Sequence, residues 1–170
     1  MKSTKALISG IFVFLLLSGC DNPFAPRVSS LEQSGSGLFS DQKTIDGVFR
    51  NLQYAYSLRD TLYYGPLLDQ EFTFTYRDYD LGFDVTWGRE EDIRTTAGLF
   101  SNSERLELIW NNIITSSEDS VSALIIRGFN LTITFNPSDI VRIDGRVNLS
   151  MKKNEQGVWK IIKWIDESNL

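Results

Sequence analysis

The sequence predicts an α+β domain in which helices come first and a long antiparallel meander follows. Two observations carry that expectation. Apolar residues recur at helical spacing before residue 68 and again between 89 and 100, whereas elsewhere from residue 72 onward they alternate. Clusters of Asn, Asp, Gly, Pro and Ser punctuate the alternating runs where hairpin turns are needed.

Taken in order, Asp41 to Arg59 puts Ile45, Val48, Phe49, Leu52 and Tyr56 on one helical face. Ser40 or Asp41 can cap its free N–H groups. A short second helix is expected over Asp60–Leu68, interrupted near Gly65-Pro66. The period then changes. Phe72, Phe74 and Tyr76 share a face, Leu81, Phe83, Val85 and Trp87 share another, and Asp78-Tyr79-Asp80 turns one run into the other. Arg89 to Phe100 reads as a third helix, with Glu90, Glu91 and Asp92 in the first turn where the helix dipole favours negative charge. Ile93, Ala97 and Phe100 would face inward.

Four strands complete the pattern. The first alternates through Leu106, Leu108 and Trp110, and the second runs from Val121 to Phe135 with a bend near Gly128. The third carries Val141, Ile143, Val147, Leu149 and Met151, with Gly145 as a bulge or a point of close approach. The fourth, Val158 to Ile165, is apolar on both faces and punctuated by Lys160 and Lys163. Residues 136–139 and 153–157 supply the turns.

The N-terminus is of a different kind. Lys2 and Lys5 precede an almost wholly apolar run, Ala6 to Leu17, which Leu17-Ser18-Gly19-Cys20 closes. The run is shorter than the roughly 20 apolar residues of a spanning helix and has the charge placement of a secretory signal. Its last four residues resemble the bacterial lipobox, which implies acylation of Cys20 and its use as the mature N-terminus. The expected division is a signal peptide over 1–19, a lipidated tether over 20–39 and one domain over 40–170. The tether is rich in Ser, Gly, Pro and Gln and cannot bury enough apolar area to order itself. The expected location is the extracytoplasmic side of a bacterial envelope membrane, inner or outer, reached through the N-terminal lipid.

Composition excludes several classes. Cys20 is the only cysteine and there is no histidine, so an intramolecular disulfide and a Cys/His metal site are ruled out, and no metal or cofactor is expected. Loss of residues 1–19 reduces the 17 basic side chains to 15 against 22 acidic ones, a balance of −7. That surface disfavours nucleic acid. Asp78-Tyr79-Asp80 with Asp84 lacks the glycine and closing glutamate of an EF-hand loop.

The order of elements resembles the nuclear transport factor 2-like (SnoaL-like, ketosteroid isomerase-like) fold. Two stretches carry further likeness: residues 67–74, Leu-Leu-Asp-Gln-Glu-Phe-Thr-Phe, and the closing run Gly157-Val158-Trp159-Lys160-Ile161-Ile162-Lys163-Trp164. The resemblance spans about residues 40–168. It implies a cone in which three N-terminal helices pack on a strongly curved, mostly antiparallel mixed sheet. It also implies a ligand pocket between helices and sheet, and dimerisation through the open sheet face.

Tyr54, Tyr56, Phe72, Phe74, Trp87, Trp110 and Trp164 are the candidates to line such a pocket; large aromatics at strand spacing equally serve as core filling. Family members with dehydratase activity use a His–Asp pair, which a chain without histidine cannot supply. An isomerase-like mechanism needs only a carboxylate base with tyrosine and a neutral carboxylic acid as donors. Its candidates are Tyr56, Asp69 and Asp144. Each has a simpler role: Tyr56 completes a helix face, Asp69 sits in a helix–strand turn, and Asp144 lies between Arg142 and Arg146 on a surface charge ladder. The expectation is therefore an envelope lipoprotein whose cone binds a small apolar ligand or a protein partner, without catalysis. A histidine-free isomerase or dehydratase and a purely structural lipoprotein are the alternatives.

Overall fold

A computed structural model of the chain describes residues 37–169. The expected signal peptide, Cys20 and nearly all of the tether lie outside the described residues. Helix α1 spans Ile45–Leu58, α2 Thr61–Tyr64 and α3 Arg89–Asn102; a 3-10 turn over Gly65–Leu67 follows α2. The strands are β1 Leu68–Asp78, β2 Phe83–Gly88, β3 Arg105–Glu118, β4 Ser122–Asn136, β5 Asp139–Lys153 and β6 Trp159–Ser168. They form one curved sheet in the order β2-β1-β6-β5-β4-β3. The β1–β6 pair is parallel and the other pairs are antiparallel. The α+β class and mixed sheet are those expected.

Helix α1 begins later than its apolar pattern suggests. Thr44, not Ser40 or Asp41, is the N-cap, its hydroxyl accepting from Gly47 N at 3.1 Å. Ser40 is engaged elsewhere: its N–H donates to Asn51 Oδ1 at 2.7 Å, and Asn51 Nδ2 donates back to Ser40 O at 3.0 Å. Gln42 bridges to β6, accepting from Trp159 N at 2.9 Å and donating through Nε2 to Trp159 O at 3.1 Å. The segment before α1 is thus stitched to both α1 and β6. Asp60 caps α2, accepting from Leu62 N at 2.8 Å.

Two expected faces are corrected. In α3 the fully buried residues are Asp92, Thr96 and Phe100, while Ile93 and Ala97 are only half-buried. The helix turns a partly polar stripe inward because that stripe finds hydrogen-bond partners. In the β1–β2 hairpin, Leu81 falls in the turn and Phe83 at the strand end, 64% and 53% exposed, so the inward alternation covers only Val85 and Trp87. Register shifts on either side of Ile113 in β3 and between Ser150 and Met151 in the β5–β6 pair bend the long strands.

The interior divides along the strands. At one end Val48, Phe49 and Leu52 of α1 pack on Leu149, Met151, Trp159 and Ile161, each at most 1% exposed. Phe72 belongs to this solid end. Toward the other end of β4, β5 and β6 the inward side chains surround a cavity.

Gly145 is the point of close approach the sequence suggests, not a bulge. It pairs regularly with Phe129 and Ser168, and a Cβ there would lie 2.5 Å from Ser168 Cα and 2.6 Å from Glu167 O. Gly145→Ala should therefore lower stability by about 1–3 kcal/mol. Gly98 in α3 has nothing within 4 Å of a built Cβ, so Gly98→Ala should raise stability by about 0.5–1 kcal/mol. Urea unfolding of both variants checks the pair.

Candidate functional site

The cavity measures about 300 Å³. Its sheet wall is built from alternate residues: Leu131, Ile133 and Phe129 on β4, Ile143 and Val147 on β5, and Trp164 and Asp166 on β6. Period-two alternation along each strand places them on one face. Tyr56 of α1, Tyr64 of α2 and Asp92 and Thr96 of α3 close it from the helix side. The hairpin contributes Phe74, Tyr76 and Trp87.

Five of the seven aromatic candidates meet here: Tyr56, Phe74, Trp87, Trp110 and Trp164. Tyr54 and Phe72 do not line the cavity. Tyr54 packs edge-on against Phe39, ring centroids 5.8 Å apart, and Phe72 is absorbed by the solid core. Trp110 donates from Nε1 to Phe49 O at 2.8 Å, and the Arg127 guanidinium sits 5.8 Å from its ring centroid.

Of the three candidates for isomerase-like chemistry, Tyr56 alone lines the cavity. Asp69 is spent on the turn into β1, accepting from Glu71 N at 3.1 Å. Asp144 is exposed and bonded to Asn169 Nδ2 at 3.2 Å. The alternation that buries Ile143 turns Asp144 outward. The carboxyls at the cavity are Asp92 and Asp166, and neither was singled out by sequence as a site residue.

Asp92 is held by two donors, Tyr64 Oη at 2.7 Å and Trp87 Nε1 at 3.1 Å. Burial nevertheless outweighs those bonds and lifts its carboxyl above the ordinary value of 3.8. Asp166 is raised in the same direction, first by burial; Ser168 Oγ opposes the shift from 3.0 Å, and neighbouring Glu167 adds to it. Burial, and then the facing carboxyls of Asp92 and Asp166, push the Tyr56 phenol well above its ordinary value of 10. Tyr64 is raised as well, chiefly by burial. Two polar atoms beside the cavity, Trp164 Nε1 and Asp166 Oδ1, are buried with no hydrogen-bond partner among the described residues.

The site can thus enclose an apolar body and offer it hydroxyls and two carboxyls held toward the neutral form. Among the described residues no lysine or arginine lines it, and no group of three His, Cys, Asp or Glu is placed to hold a metal ion. The missed carboxyls did leave a trace in the sequence. Asp166 follows Trp164 at strand period, and Asp92 precedes Thr96 and Phe100 at helical period.

A carboxyl whose folded value is raised keeps protons that the unfolded chain has lost, so it destabilises the fold as pH rises above its ordinary value. The stability difference between the native chain and Asp92→Asn should therefore fall from pH 3.8 upward and level off above the raised folded value. Denaturant unfolding across that range checks the sign. A difference that rises with pH refutes it.

No family profile matches the chain, and no curated protein matches it in sequence. Solved structures do. A conserved protein from Planctomyces limnophilus superposes with a TM-score of 0.65 at 12% identity, over 73% of this chain and 92% of that one. A candidate scytalone dehydratase from Novosphingobium aromaticivorans gives 0.64 at 15% identity, over 74% and 82%. A candidate dehydratase of the NTF2-like family from Streptomyces avermitilis gives 0.61 at 14%, over 74% and 94%. Likeness at such identities speaks for architecture, and by it the chain has the nuclear transport factor 2-like cone fold.

Proposed function

We propose that the chain is a lipid-anchored envelope protein whose cone binds a small, largely apolar molecule. The cavity of about 300 Å³ carries this reading. Its volume is at the lower end of the range for small-molecule sites, and its lining has the usual make-up of apolar and aromatic walls with a few convergent polar groups. A fully packed cone would support a scaffold instead, but the packing is solid only at the end built around Phe49 and Trp159.

A second reading, a histidine-free isomerase or dehydratase, is favoured by one observation: Tyr56, Asp92 and Asp166 line one cavity, where the phenol is raised first by burial and then by the two carboxyls. Neutral acids and phenols donate hydrogen bonds to a developing oxyanion. Asp92 and Asp166 take the places that sequence reasoning gave to Asp69 and Asp144. Chemical conversion of the bound molecule separates this reading from simple binding.

Lipid anchoring rests on Lys2, Lys5, the apolar run from Ala6 to Leu17 and the closing Leu17-Ser18-Gly19-Cys20. More than one acyl chain gives stable attachment without a spanning helix.

Two measurements test the proposal. Neutral 2-naphthol should bind saturably at one site, and Leu131→Phe, which fills cavity space, should weaken it at least tenfold, about 1.4 kcal/mol. Absence of binding returns the cone to a scaffold role. In a bacterial host fed an alkyne-tagged fatty acid, the native chain should become labelled and Cys20→Ser should not. Equal labelling of both overturns the anchor.

A further inference from the structure

Resting on the cavity as a binding site, we propose that its ligand is an organic cation: an apolar body carrying an amine or quaternary ammonium group seated against Asp166. The register of β6 sets up that seat. Phe74 of β1 pairs with Trp164, and two residues on, Tyr76 pairs with Asp166. On the other flank Asp166 opposes Val147, which is fully buried. The carboxyl is therefore bordered by aromatic and aliphatic side chains on its own face of the sheet.

The aromatic side is continuous. Phe74 stacks on Trp87 with centroids 4.9 Å apart, Trp87 lies 5.3 Å from Tyr76, and Phe74 lies 6.0 Å from Trp164. All four rings line the cavity. Electron-rich ring faces attract cations, and a group of them beside a carboxylate is the usual recognition chemistry for alkylammonium.

The electrostatics agree in sign. Asp92 and Asp166 line the cavity, and no lysine or arginine among the described residues lines it with them. A second cleft, sharing Tyr76 and Asp166 with the cavity, adds Asp78, Asp80 and Glu167. Arg77, the cation lining it among the described residues, is committed to the hairpin, donating to Asp84 at 3.0 Å and to Gly82 O at 2.6 Å. Glu167 is bonded to Arg146. Arg127 lies 4.8 Å over Phe49 and 5.8 Å from the ring centroid of cavity-lining Trp110, donates to Asn111 O at 2.8 Å, and is not itself among the lining residues. A buried carboxyl needs a proton or a cation, and Asp166 Oδ1 has no donor among the described residues. A ligand ammonium meets that need where a metal ion does not, since no third ligand converges among the described residues.

The test uses two probes of equal shape, phenyltrimethylammonium and tert-butylbenzene. Each is titrated against the full chain in lipid nanodiscs, with protein-free nanodiscs as blank, by intrinsic fluorescence of the cavity tryptophans. The expected result is saturable binding of the cation at least tenfold tighter than of its neutral isostere. In Asp166→Asn the cation should weaken at least tenfold and the neutral probe change less than twofold. Equal or tighter binding of tert-butylbenzene overturns the cation inference and leaves the binding reading standing. Failure of both probes overturns both. A cation preference that survives Asp166→Asn removes Asp166 from the seat, and if that variant does not fold, the isostere ratio on the native chain decides.

Discussion

Strand β6 lies between β1 and β5, parallel to the first and antiparallel to the second, and the site depends on that placement. It joins the helical hairpin half of the chain to the meander half. Its inward positions run Trp159, Ile161, Trp164 and Asp166, so one strand carries both the solid core and the cavity wall. A register slip of one residue would turn Lys160 inward and Trp164 out. The burial of Trp159 and Ile161, both at 0% exposure, fixes the register from the packed end.

The helices then decide how much of the cone remains open. Helix α1 fills the packed end with Val48, Phe49 and Leu52, and reaches the cavity through Tyr56. Helix α3 gives the cavity Asp92 and Thr96, where an apolar stripe would have closed it further. The cost of burying Asp92 is offset in part by Tyr64 and Trp87, which come from α2 and β2. One carboxyl thereby ties three elements together at the wall of the site. Asp166, by contrast, has one side-chain donor among the described residues, Ser168, and its second oxygen is buried beside the cavity without a partner among them. The two carboxyls differ in that respect: both oxygens of the first are bonded, whereas one oxygen of the second has no donor among the described residues.

Much of the fold was legible because its signals are local. Strand alternation through Phe129–Phe135 and Val141–Met151 survives in the structure residue for residue, since a two-residue period admits one inward face. The start of α1 escapes local capping rules because Ser40 and Gln42 are used in long-range bonds, to Asn51 and Trp159. The site was legible only in part. Hydrophobicity points to Phe74, Trp87 and Trp164, but the polar members at inward positions depend on partners distant in sequence. Asp92 is inward because Tyr64, 28 residues earlier, can donate to it. Nor does aromatic character separate Phe72 from Phe74, which share a strand face yet fall on opposite sides of the boundary between core and cavity.

The bonds that join Ser40 to Asn51 and Gln42 to Trp159 also have a mechanical meaning. Force applied to the chain ahead of residue 40 enters the domain at the first turns of α1 and the first residue of β6. Both belong to the densely packed end. Load entering there meets buried side chains and the first residues of a central strand's hydrogen-bond ladder. The cavity-lining residues of that strand, Trp164 and Asp166, lie further along it. The chain's point of entry and the cavity lining thus occupy opposite ends of β6.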